Sequence, residues 1–217
     1  MEIFNLPPTA KVNKVIPKNA FDAYTNVKQK KLFTDLISRM SWVYKLSSDT
    51  INLEPGQVQE IQVFKVELKV KEDIQPLLDI IDKAIPYSIV FVVEFEDSIY
   101  LSTSTKHPHP VNEDNSVIDW TFRTTWFVPS ENKYSFRLKK SLEAVYKDFC
   151  IQLSEQSEVQ PKTLQDLVEF KRQIQAIEKD IAKLKANIAS CKQFNRKVEL
   201  NLKLKAKEKE LDELQMS

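Results

Sequence analysis

The stretch "VELK" sets Glu67 and Lys69 two residues apart. On a β-strand that spacing returns both side chains to the same face. A carboxylate and an ammonium so placed can hold a divalent cation and orient or activate an attacking water, the chemistry of metal-assisted phosphodiester hydrolysis. Such a site needs a further acid, for which Asp49 or Glu54 is available upstream. Mg²⁺ is the cofactor this reading requires; no other reading of the chain requires one. The plainer alternative is a charged pair at the exposed end of a strand. With 32 Lys+Arg and 31 Asp+Glu in 217 residues, Glu-x-Lys arises readily by chance.

The local order of helix, strand, strand bearing "VELK", helix and strand resembles that of restriction-endonuclease-type nucleases. Those enzymes carry an acid on one strand and Glu-x-Lys on the next. Neither Asp49 nor Glu54 stands in a Pro-Asp or similar setting at a clear strand end.

Other chemistries find less support. A single glycine, Gly56, excludes the glycine-rich loops that cradle phosphates. The two histidines, His107 and His109 in "KHPHP", are flanked by prolines and lack further ligands, so this segment reads as an exposed polar loop. No nucleophile elbow is present. Cys150 and Cys191 are isolated, without metal-type spacing, which suits free thiols in a reducing compartment. Trp120, Phe122, Trp126 and Phe127 could line a groove, although in-phase aromatics on a strand usually belong to a core.

The elements that would position these residues follow from periodicity. After a proline-punctuated start, "NAFD" can cap a short helix, and Phe33, Leu36, Ile37 and Met40 predict a helix from about Lys28 to Met40. "WVYKL" and "TINL" are β-prone, and "EIQVFKVELKV" alternates as a long strand. "DIQPLLDIIDKAI" reads as a helix with Pro76 in its first turn. "YSIVFVVEFED" and "SIYLSTST" form a hairpin around Glu96–Asp97–Ser98, "VIDWTFRTTWFV" is another strand, and "SLEAVYKDFCIQL" is a closing helix. The expected fold class is α+β: a mostly antiparallel sheet covered by helices in residues 1–155. A linker at 156–162 and a C-terminal coiled-coil helix or helical hairpin at 163–217 complete the chain.

In that tail, Ile174, Ile177, Ile181, Leu184 and Ile188 recur at 3,4 spacing. Asn195 then falls where the next apolar residue is due, and Asn201 follows. Either the seam changes register at a polar core position, or the helix doubles back near "SCKQFN". A single rod would reach roughly 75 Å. In both cases the narrow stripe must bury against another helix, from its own tail, a second copy or a different protein. Between Lys179 and Lys209 there are ten Lys/Arg against three Asp/Glu. Lys183, Lys185, Lys192, Arg196 and Lys197 could thus face nucleic acid or an acidic partner, the simple alternative being a solvated helical face. The net charge of +1 argues for neither nucleic acid nor a membrane. The longest apolar run, "SIVFVV", is too short to span a bilayer, and the first residues show no apolar h-region. The expected location is the cytoplasm.

Taken together, "IPKNAFD", "LFTDLISRMSWVYKLSSDTINL", "EIQVFKVELK", "IDKAIPYSIVF" and "KQFNRKVELN" resemble the bacterial domain-of-unknown-function 4391 family over nearly the whole chain. The resemblance implies a cytoplasmic protein encoded near SNF2-like or DEAD/DEAH helicases and DNA methyltransferases in restriction-type or phage-defence islands. It brings no catalytic residues. The resulting expectation is a non-enzymatic accessory subunit that docks on such a partner and associates through its C-terminal helix. A Mg²⁺-dependent nuclease using Glu67, Lys69 and Asp49, and a nucleic-acid-binding adaptor, are the alternatives.

Overall fold

The structure, a computed structural model, describes residues 3–111, 115–154 and 161–215. The chain divides into two compact units, 1–155 and 156–217. Most of the expected linker, together with Asn112–Asp114 of the polar loop, lies outside the described residues.

The first unit is α+β. Its six strands are β1 (Lys11–Val15), β2 (Ile37–Leu46), β3 (Ile61–Leu68), β4 (Ser88–Phe95), β5 (Ser98–Pro108) and β6 (Ser116–Arg123). They lie in one sheet in sequence order. Every neighbouring pair is antiparallel except β3 and β4. Parallel strands need a crossover, and α3 (Gln75–Ala84) supplies it. Helices α1 (Val27–Leu36), α2 (Ser48–Ile51) and α4 (Leu142–Leu153) complete the unit.

Alternation on β3 and β4 sorts the two faces. Phe64, Val66, Leu68, Ile89, Phe91 and Val93 face one way and form a single buried cluster with Phe33 of α1 and Leu77, Leu78 and Ile81 of α3. The opposite face is buried under α4, whose Tyr146 hydroxyl donates to the Ser104 carbonyl at 2.7 Å and lies 2.8 Å from Thr103 Oγ1. Phe149 of α4 stacks on Phe136 at 4.4 Å. Strands buried on both faces explain why "SIVFVV" reads as a continuous apolar run.

Local signals account for several boundaries. Asn26 caps α1: its Oδ1 accepts from Gln29 N at 3.0 Å, and Gln29 Oε1 accepts in return from Asn26 N at 2.9 Å. Pro76 stands in the first turn of α3, where its missing N–H has no intrahelical partner to lose. Phe95 pairs with Ser98, leaving a two-residue turn in which Glu96 adopts φ 50°.

Four expectations are corrected. Helix α1 stops at Leu36, because the run from Ile37 onward gains a full ladder along β3; Ile37 and Met40 are buried as strand residues. "TINL" begins within α2 and leaves it through Asn52 at φ 53°. The proline-rich start contains β1, paired with β2. Strand β5 runs on through "KHP", so His107 sits in a strand and the Lys106 side chain is buried.

Lys106 reaches under the C-terminal end of α3. Its ammonium donates to the Asp82 and Ile85 carbonyls at 2.6 and 2.7 Å and to Asp82 Oδ1 at 2.7 Å. Both side chains are almost fully buried, at 5% and 1% exposure. Burial pushes the Asp82 carboxyl up and the Lys106 amine down, and each opposes the other's shift through their mutual attraction. The three donors of the ammonium are thereby matched, and helix carbonyls that lack an i+4 donor are capped.

The second unit answers the question raised by the break in the seam. Helix α5 (Leu164–Ser190) starts at a capping box, in which Asp166 N donates to Thr163 Oγ1 at 3.0 Å and Thr163 N to Asp166 Oδ2 at 2.9 Å. After residues 191–193, α6 (Phe194–Gln215) runs back along it. Ile177 shares a groove with Leu214, and Leu184 shares another with Lys203. Lys185 Nζ pairs with Glu208 at 3.0 Å. Of the two arrangements left open, the chain adopts the antiparallel pair. Lys207 stands in the α6 seam between Leu204 and Leu211 and shares a groove with Ile177 and Asp180 of α5.

Replacing Lys106 with Met would strand the Asp82 carboxylate. We expect a loss of about 3–5 kcal/mol in urea unfolding, recovered only in part when Asp82→Leu is added, because the Asp82 and Ile85 carbonyls stay uncapped. A double variant no more stable than the single one would refute this account of the pair.

Candidate functional site

The Glu-x-Lys pair stands where β3 ends. Glu67 faces Glu94 directly across the parallel β3–β4 register, and Lys65 on the same face bridges them, paired with Glu94 and lying 3.5 Å from Glu67 Oε1. Burial works to lower the Lys65 pKa, but hydrogen bonding and charge from Glu94, then Glu67, raise it above the ordinary lysine value. Lys69 lies just past the strand. Its Nζ donates to the Thr34 carbonyl at 2.7 Å in the last turn of α1, and its backbone N donates to the Leu36 carbonyl at 2.8 Å. An ammonium there complements the helix dipole.

Asp49 is elsewhere. Leu46 pairs with Ile61 at the start of β3, and Asp49 follows in α2, whereas Glu67 lies six residues further along β3 near Arg39. Asp49 and Glu67 are thus roughly 20 Å apart along the strand direction. Glu54 bridges to Ser141 beside α4, also away from Glu67. The geometry gathers Glu67 with Glu94 and Lys65, a grouping the reading of "VELK" alone missed. The available signal was that "VVEF" repeats the alternation of "KVEL" and could set its glutamate in parallel register. Among the described residues, no three His, Cys, Asp or Glu side chains gather in a group that could hold a metal ion.

The histidines and aromatics fall into separate settings. His107 Nδ1 is 3.0 Å from Asp119 Oδ2 on β6, at an exposed edge. His109 borders an open cleft with Tyr24, Asn26 and Lys83. Strand β6 ends at Arg123, so Trp126 is not in phase with Trp120 and Phe122; it packs edge-on against Tyr100 at 4.7 Å. Arg123 lies over the same Tyr100 ring and pairs with Asp73 at 2.9 Å. The Tyr100 hydroxyl is buried, and burial pushes its pKa well above the usual tyrosine value.

The C-terminal helices carry the remaining candidates. Ile174, Ile177 and Ile181 are buried, and Leu184 and Ile188 are half-buried. Asn195 and Asn201 do not enter this seam: both are exposed in α6, and Asn201 Nδ2 donates to the Lys197 carbonyl at 2.8 Å. The apolar residues of α6 divide between two faces. At about 100° per residue, Leu200, Leu204, Leu211 and Leu214 line one side and Phe194, Val198 and Leu202 the opposite side. The first set is half-buried against α5. The second is exposed, at 78%, 45% and 64%. The break in the seam is therefore a turn followed by a helix with apolar residues on both sides.

Charges divide similarly. Toward the free end of α6, Lys207 pairs with Glu210 at 2.8 Å and Lys209 with Glu213 at 3.4 Å, while Lys185 is held by Glu208. Near the turn, Lys192, Arg196, Lys197, Lys203 and Lys205 are exposed and have no ion-pair partner among the described residues. Lys183 on α5 is exposed as well.

A family model described as "Domain of unknown function (DUF4391)" matches residues 4–211. The chain belongs to the DUF4391 family. No match was found among curated proteins or solved structures. The DUF4391 match spans the sheet and both C-terminal helices, so the hairpin is part of what the family model describes. No helix among the described residues of this DUF4391 chain is long and apolar enough to cross a membrane.

Lys65→Met would leave Glu67 and Glu94 facing each other without a counter-ion. One carboxyl would then titrate higher in the folded state than in the unfolded chain. The folded state would bind the extra proton, so the variant should regain stability as pH falls from about 7 to about 5. Urea midpoints across that range should show the deficit narrowing for Lys65→Met and staying flat for Lys69→Met. A pH-independent deficit in Lys65→Met would contradict the bridging role.

Proposed function

We propose that this chain is a non-enzymatic accessory subunit of a bacterial DNA-processing or phage-defence assembly. In this reading the α+β unit docks on a SNF2-like or DEAD/DEAH helicase or a DNA methyltransferase, the neighbours that the family resemblance implies. The C-terminal helices, packed as an antiparallel coiled coil, are the element through which it joins the assembly.

The observation that carries the reading is the outward stripe of α6. Phe194, Val198 and Leu202 lie on the side away from α5 and remain exposed. Full burial of each such side chain is worth roughly 1.5–3 kcal/mol, so a partner surface has a substantial driving force to cover them. Contiguous exposed apolar residues of this kind mark association surfaces. The disposition of the acids and lysines fits a subunit without its own hydrolytic centre: Lys69 is committed to Thr34, Lys65 bridges the two glutamates, and Asp49 is remote from both.

The test is co-expression of the tagged full chain with a helicase and a DNA methyltransferase of the kinds the family resemblance implies, followed by purification in the presence of nuclease. A stoichiometric complex is expected, and plasmid cleavage with Mg²⁺ or Mn²⁺ should not depend on Glu67. Elution of the chain alone, or cleavage abolished by Glu67→Ala, would overturn the proposal.

A further inference from the structure

The net charge of +1 conceals a segregation. From Lys183 to Lys205 there are seven Lys/Arg and one acid, Glu199, whereas the rest of the chain has 25 Lys/Arg against 30 Asp/Glu. This segment is the turn end of the helical hairpin, and all seven of its cations are exposed. Lys185 pairs with Glu208, and the other six have no ion pair among the described residues.

The fold sorts these cations by side. Lys183 and Asn187 of α5 line one groove with Lys203 of α6. Arg196 stands two turns before Lys203, about 10 Å along α6 and within about 20° of it around the axis. Lys183, Lys203 and Arg196 therefore share one flank of the hairpin, together with the Asn187 amide. Lys197 and Lys205 lie at least about 100° away around α6. The charge pattern alone grouped Lys185 and Lys197 with this row; the fold removes both and adds Lys203. Acids are few on the flank. Glu199 stands at its outer margin, and the groove's Asp180 and Glu210 lie toward the free end, where Lys207 pairs with Glu210 at 2.8 Å.

The surrounding side chains separate the polyanions that could neutralise such a row. A partner helix or an anionic bilayer would need apolar anchors among the cations. The exposed large apolar residues of α6, Phe194, Val198 and Leu202, lie about 100° or more from Lys203 and Arg196. Single-stranded nucleic acid would need rings on which bases stack, and none stands on this flank. The backbone of a duplex needs only placed cations and amide donors.

We propose that the flank formed by Lys183, Asn187, Lys203 and Arg196 binds the phosphate backbone of duplex DNA without reading its bases. The choice of DNA rests on the accessory-subunit reading, which sets the chain among DNA-processing proteins; the duplex contact itself rests on the charge distribution. Through this flank the subunit holds DNA independently of sequence, by displacing counter-ions from the phosphates.

The experiment uses the full chain and a fluorescein-labelled DNA duplex of about 20 base pairs, with anisotropy titrations from about 50 to about 200 mM salt. Three phosphate contacts should make log K fall with log salt at a slope of about −2.7. Lys183→Gln with Lys203→Gln should weaken binding about tenfold or more and flatten the slope by about 1.8. Lys185→Gln with Lys209→Gln removes the same charge from ion-paired positions and should leave both quantities nearly unchanged. All four sites are exposed, so circular dichroism should match wild type in both doubles. Absent or salt-independent binding, or equal losses in the two doubles, would overturn the proposal. So would tighter binding of an RNA duplex, of phosphatidylserine vesicles or of a glutamate-rich peptide than of the DNA. A chain that fails to bind the duplex yet co-purifies with a helicase or methyltransferase would refute this surface and leave the accessory role standing.

Discussion

Strands β3 and β4 run parallel, and that single pairing obliges the chain to carry α3 across the sheet. The other neighbouring strands pair antiparallel and need no such crossover. Once α3 lies on the sheet, Phe64, Val66, Phe91 and Val93 have a roof and the opposite face of the same strands must find another, which α4 provides. The crossover also buries the end of a helix, whose carbonyls would be unmatched if Lys106 did not reach them. A lysine whose side chain is buried beneath the end of α3 is thus a consequence of topology.

The same pairing explains the local chemistry of Glu67. Parallel register brings it level with Glu94, and two carboxylates on adjacent strands need a cation between them. Lys65 fills that place from the same face of β3. Lys69, which by spacing alone could have joined Glu67, lies beyond the last ladder position and closes the end of α1 instead. What looks in one dimension like half of a hydrolytic motif becomes in three dimensions two separate pieces of charge balancing.

How far the sequence disclosed all this depended on whether the deciding interaction was local. The Thr163–Asp166 cap, the turn at Glu96 and the helical pattern of "PLLDII" are settled within a few residues, and each was legible. The end of α1 was not, because Ile37 and Met40 satisfy helical spacing as well as strand alternation, and only the distant β3 ladder decides between them. Lys106 was hidden for the same reason: its acceptors lie more than twenty residues away. In the tail, Asn195 and Asn201 marked a discontinuity correctly, yet the choice between rod and hairpin depended on whether "Leu200, Leu204, Leu211, Leu214" could meet the α5 stripe. The second apolar face was written in the spacing of Phe194, Val198 and Leu202 but became visible only once the first had been assigned to α5.

Lys207 interrupts the leucines of α6 at a place where Asp180 stands nearby on α5. If α6 slid by a heptad in either direction, that ammonium would leave Asp180 for the neighbourhood of Ile174 or Leu184, and Lys185 would lose Glu208. A ladder made only of leucine and isoleucine would tolerate such slippage. Charged rungs of this kind favour one alignment of the hairpin, and with it one set of residues on its outer side.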